Sequence, residues 1–102
     1  MPLDRLEPGD LTLIRNCLEA AATGPFFPDW EFETLFGLSR DQLREIMFGW
    51  PQNASEPRTE IAVRNAIANL RGYPHNQECV LEKMLGVDPE RLYGLSKKIG
   101  RE

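Results

Sequence analysis

The chain has 102 residues, of which 41% are hydrophobic and 27% charged, and its formal net charge is −4. These proportions fit a globular fold and exclude the low-hydrophobicity, high-charge composition of a disordered chain. No apolar run reaches the roughly 18–20 residues of a membrane span, and the opening Met-Pro-Leu-Asp-Arg lacks a secretory pattern, so the expectation is a cytoplasmic protein with no membrane partner.

Apolar residues at Ile14, Cys17, Leu18 and Ala21 follow the i, i+3, i+4, i+7 spacing of a one-faced helix. Asp10 reads as its N-cap, and Thr23-Gly24-Pro25 as its stop. A short second helix has Asp29 as N-cap and Glu31 in its first turn. It turns Phe32, Leu35 and Phe36 inward and stops at Gly37, which supplies a left-handed residue. Ser39 caps a third helix, forms a capping-box pattern with Gln42, and precedes the apolar Leu43, Ile46 and Met47. Gly49-Trp50-Pro51 closes the block. Residues 51–58 hold two prolines and nothing apolar larger than alanine, so they read as a linker.

The three helices then recur. Residues 10–50 slide onto 59–99 at an offset of 49 without a gap, and the apolar phase is kept. Val63, Ala66, Ile67 and Leu70 serve the first helix, Leu81, Met84 and Leu85 the second, and Leu92, Leu95 and Ile99 the third. Thr59, Asn76 and Asp88 take the cap positions, Gly86 the left-handed stop, and Pro89 the first helical position of the last helix. Six positions are identical between the copies: Arg15/Arg64, Asn16/Asn65, Pro25/Pro74, Glu33/Glu82, Gly37/Gly86 and Leu43/Leu92. No strand-like alternation occurs. The fold class is therefore all-α, with two pseudo-symmetric three-helix repeats (10–50 and 59–99) packed into one compact helical domain over 1–102. One repeat cannot bury its own stripe, so the two should pack face to face. The repeated Arg15/Arg64 and Glu33/Glu82 predict an ion pair between first and second helix in each copy.

Charge and aromaticity are unevenly shared. Residues 1–50 carry four basic and nine acidic side chains, residues 51–102 eight basic and seven acidic. An acidic half argues against nucleic acid, whose binding rests on neutralising phosphates, and suits a basic partner protein. Pro25-Phe26-Phe27-Pro28-Asp29-Trp30-Glu31-Phe32-Glu33 interleaves four aromatics with three acids, and the second copy has no aromatic there. Phe32 and Trp30 read as core, the latter because its counterpart Cys79 is apolar. Phe26 and Phe27 align with the polar His75 and Asn76. They read either as a lid on the open end of the core or as an exposed anchor ringed by Asp29, Glu31 and Glu33.

Other constellations point less far. Gly37-Leu38-Ser39-Arg40-Asp41-Gln42-Leu43 and its repeat from Gly86 to Leu92 have the spacing of a helix-turn-helix corner. In an alternative reading as a DNA-binding regulator, Arg91, Lys97, Lys98 and Arg101 would contact phosphates. The same corner also joins helices that bind no DNA. Cys17 and Cys79 lie at non-equivalent positions and read as two buried thiols. His75 follows a proline in a loop and reads as a surface residue. Without Cys-x-x-Cys, paired histidines, a glycine-rich phosphate loop or Gly-x-Ser-x-Gly, no metal, cofactor or enzymatic site is expected.

The runs Ile14-Arg15-Asn16, Gly24-Pro25, Asp29-Trp30-Glu31-Phe32, Gly37-Leu38-Ser39-Arg40 and Asn69-Leu70-Arg71-Gly72-Tyr73-Pro74-His75 resemble a group of short bacterial helical proteins, some of immunity-protein type. The resemblance covers most of the chain. It implies a bacterial cytoplasmic setting and carries no catalytic residue across. The combined expectation is a non-enzymatic protein-binding module, monomer or homodimer, acting as an immunity-type inhibitor or adaptor. Its acidic aromatic half would dock a basic partner through Phe26, Phe27, Asp29, Glu31 and Glu33.

Overall fold

The two prolines at Pro8 and Pro57 set where the longest helices begin, because a fixed φ and a missing N–H suit the first helical position. The computed structural model of the chain describes residues 6–24, 26–73 and 76–100. In it α1 spans Pro8–Thr23, α2 Asp29–Phe36, α3 Arg40–Gly49, α4 Pro57–Gly72, α5 Glu78–Leu85 and α6 Pro89–Gly100. The described residues hold these six helices and no strand. The body is compact, with a radius of gyration of 12.3 Å, about what a folded chain of this length has.

The start signals differ from those read off the sequence. Asp10 and Thr59 are not caps but sit in the first turns of α1 and α4, which open behind Glu7 and Glu56. The apolar spacing could not separate the two registers, and the prolines decide it. Likewise α2 and α5 begin behind Pro28 and Gln77, so Asp29 and Asn76 do not cap them. The linker is shorter than expected at its far end, since α4 begins at Pro57. The other local signals hold. Gly37 and Gly86 have φ of 74° and 73° and end α2 and α5 in the left-handed region. Ser39 and Gln42 exchange their capping-box bonds at 3.1 and 2.8 Å, and the Asp88 carboxylate accepts from the Arg91 amide at 2.9 Å.

The apolar stripes meet at the centre. Ile14, Leu18, Ile67, Leu70, Leu43 and Leu95 are all at least 98% buried. Helix α1 packs on α3, α4 and α5, and α4 packs on α6, α1 and α2. Each long helix thus holds the third helix of its own half and the short helix of the other half. Asparagines mark that exchange. Asn65 Nδ2 donates to the Phe36 carbonyl at 3.1 Å and Asn16 Nδ2 to the Leu85 carbonyl at 3.5 Å, each serving a C-terminal carbonyl that its own helix leaves without a partner. Asn69 adds a bond to the Leu35 carbonyl at 3.3 Å.

The repeated arginines do not bridge first and second helices as expected. Arg15 pairs with Glu19 at 3.3 Å and Arg64 with Glu60 at 2.9 Å, each along its own helix. Glu33 and Glu82 face solvent. One turn along the same helix is the shorter reach, and it leaves the Arg15 side chain at the surface and that of Arg64 part-buried.

The deepest charge is Asp10, whose side chain is 2% exposed. It accepts from Arg91 Nη2 at 2.7 Å and Lys98 Nζ at 2.6 Å, both on α6, and from the Glu7 amide at 3.2 Å. Burial pushes its pKa up, but the bonds from Lys98, Arg91 and Glu7 outweigh that and hold it below its ordinary value of 3.8. Asp10→Ala should cost about 2 kcal/mol in a urea titration, because it strips a buried anion from two cations. A carboxyl that titrates lower folded than unfolded contributes fully above its unfolded pKa and loses that contribution as pH falls through the folded one. The wild-type Tm should therefore fall more steeply than that of Asp10→Asn between about pH 5 and about pH 2.

Candidate functional site

The aromatic and acidic segment turns inward. Phe26 and Phe27 are only 2% and 5% exposed, so they are not a surface anchor. The Phe27 ring meets Phe36 at 5.2 Å and Tyr73 at 5.3 Å in edge-to-face contacts, while Phe32 and Phe36 stack at 4.4 Å. Gly24 makes room for this, since a Cβ there would lie 2.4 Å from the Phe26 ring.

Arg40, the first residue of α3, closes the corner. Its guanidinium lies over the Phe32 ring at 4.3 Å. It donates to the Ala22 and Phe27 carbonyls at 3.0 Å each, to the Ala21 carbonyl at 3.4 Å and to Asp29 Oδ1 at 2.8 Å. A planar five-donor fork suits such a site, where a lysine would satisfy only part of it. Glu31 accepts from the Tyr73 hydroxyl at 2.6 Å, which, with burial and the carboxylate charge, raises the tyrosine pKa above its ordinary 10.0. Two of the three acids expected to rim a docking surface are therefore engaged within the fold, and Glu33 faces solvent.

Trp30, expected in the core, is 80% exposed. It precedes Phe32 by two residues, and positions two apart on a helix do not share a face. Its counterpart Cys79 is exposed too, which corrects the expectation of two buried thiols. Cys17 is the buried one, and burial pushes its thiol up to about 12, far from a reactive thiolate.

Of the cations assigned to DNA, Arg91, Lys97 and Lys98 lie on α6 and keep exposed side chains, but each is engaged within the fold. Arg91 and Lys98 hold Asp10, and Lys97 lies over the Tyr93 ring at 5.3 Å. Arg101 and His75 lie outside the described residues. Among the described residues no group of three or more His, Cys, Asp or Glu side chains could hold a metal ion. No described helix is long and apolar enough to cross a membrane.

Two grooves flank the end of α4. One, of about 380 Å³, runs between α4, α5 and α6 over Leu81, Leu85, Val87 and Leu92, and Glu78, Glu82, Asp88 and Glu90 stand around it. All four carboxylates belong to exposed residues. Among the described residues Arg71 is the single cation in its wall, with its guanidinium over Tyr93 at 4.7 Å. The other, of about 580 Å³, lies between α4 and α6, with Arg64, Arg71 and Lys97 in its wall. Sequence reasoning missed the acidic groove because its residues look ordinary singly. The one visible signal is that the second copy has no aromatic where the first has four.

No protein-family model, curated protein or solved structure matches this chain.

The reversal of Phe27 and Trp30 is directly measurable. Phe27→Ala should destabilise the fold by about 3–5 kcal/mol, as loss of a buried aromatic does, and Trp30→Ala by less than about 0.5 kcal/mol. Urea denaturation followed by circular dichroism gives both values.

Proposed function

We propose that this protein is a non-enzymatic, cytoplasmic module that binds a basic segment of another protein in the acidic groove between α4, α5 and α6. The observation that carries the reading is the groove itself, with an apolar floor of Leu81, Leu85 and Leu92 and a rim of four carboxylates against one arginine. Such a surface desolvates apolar side chains at its centre and steers cations from its edge. The docking surface thus moves from Phe26 and Phe27 to the second half of the chain. An immunity-type inhibitor or an adaptor, working as monomer or homodimer, are the forms such a module takes.

We further propose that the chain is a duplicated three-helix unit with pseudo-symmetric halves. Three observations support it. The helices run to 16, 8 and 10 residues and then to 16, 8 and 12. Asn16 and Asn65 make the same bond to the equivalent carbonyls of Leu85 and Phe36. Glu7-Pro8 and Glu56-Pro57 open both long helices at the same offset. The Asp10 clamp fits this scheme as a difference between halves. Its counterpart is Thr59, and the counterparts of Arg91 and Lys98 are Gln42 and Gly49, so acid and bases are replaced together.

The runner-up, DNA binding, draws support from the groove that holds Arg64, Arg71 and Lys97. Fluorescence anisotropy separates the readings. A dye-labelled lysine- and leucine-rich peptide should bind, and the double variant Glu78→Lys with Glu82→Lys should weaken it about tenfold. A labelled 20-base-pair duplex should bind weakly at 0.1 M salt. Tight, steeply salt-dependent duplex binding with no peptide binding would replace this reading by the DNA one.

A further inference from the structure

The open groove of the second half has a filled counterpart in the first, and the filling shows what chemistry fits. Resting on the duplicated unit and on the basic-partner reading above, we infer that the groove takes an arginine beside an aromatic side chain from the partner. In the first half the corresponding space is closed by the chain's own Arg40, Phe26 and Phe27. The Arg40 guanidinium lies on Phe32, bonds the Ala22 carbonyl at the end of α1, and pairs with Asp29.

At the offset of 49, Ala22, Asp29 and Phe32 correspond to Arg71, Glu78 and Leu81. All three stand in the wall of the open groove. A carboxylate, an apolar platform and a helix C-terminus thus recur there. The residues that would fill them do not. Arg40 corresponds to Pro89, which has no guanidinium, and Phe27 to Asn76, which is exposed. Charge agrees with this vacancy. Glu78, Glu82 and Glu90 match Asp29, Glu33 and Asp41 of the first half, Asp88 adds a carboxylate where that half has Ser39, and the one arginine in the wall, Arg71, lies over Tyr93. A guanidinium uses the site better than an ammonium, since its weakly hydrated plane can lie on the apolar floor while its fork reaches carboxylate and carbonyl together.

The test is a titration of the ¹⁵N-labelled full chain with two small probes of equal charge, phenylalanyl-arginine amide and phenylalanyl-lysine amide. The arginine probe should shift the amides of Glu78, Leu81 and Glu82 and half-saturate at about one fifth of the lysine concentration. Glu78→Gln should bring the arginine probe to the lysine level. Pro89→Arg, which supplies the guanidinium within the chain, should weaken the arginine probe by at least about fivefold. Equal half-saturation by both probes in the groove overturns the arginine inference and leaves the basic-partner reading standing. Shifts confined to other surfaces, or none from either probe, overturn both.

Discussion

The constraint on which everything else rests is that no three-helix half of this chain can bury its own apolar stripe. Helices α1 and α4 lie against each other, and each also takes the short helix of the opposite half. Burial at about 25 cal/mol per Å² of apolar surface favours that exchange over two separate bundles, because each long helix is then packed by elements of both halves. The asparagines then fix the crossing. A carbonyl left without a partner at the end of α2 or α5 finds its donor only if the two halves are correctly engaged.

The two halves differ in how their corners are built. One guanidinium, from Arg40, gathers three backbone carbonyls, a carboxylate and an aromatic face into one corner. The equivalent corner of the second half is open and acidic. The second half also has its own elaboration, the two α6 cations that clamp Asp10. The same Asp10 clamp ties two basic side chains of α6 to a buried carboxylate.

Much of this was legible in the residues. Apolar spacing, left-handed glycines and the Ser39–Gln42 box are local signals, and each found its place because the physics behind it acts within a turn or two. What was not legible depends on the third dimension. Trp30 looked like core because its counterpart Cys79 is apolar, and both turn out to be exposed. Phe26 and Phe27 read as either a lid on the core or an exposed anchor because their counterparts are polar, and only the packing shows that they are the lid. Asp10 looked like a cap, since its partners lie 81 and 88 residues away.

Native-state hydrogen exchange across the helices tests the central claim most directly. Amides of α1, α4 and α2 should open together with the highest free energy, and those of α5, beside the open groove, should exchange from a distinctly lower one. Equal protection of α2 and α5, or separate opening of α1 and α4, would contradict an interlocked frame with one filled corner and one vacant.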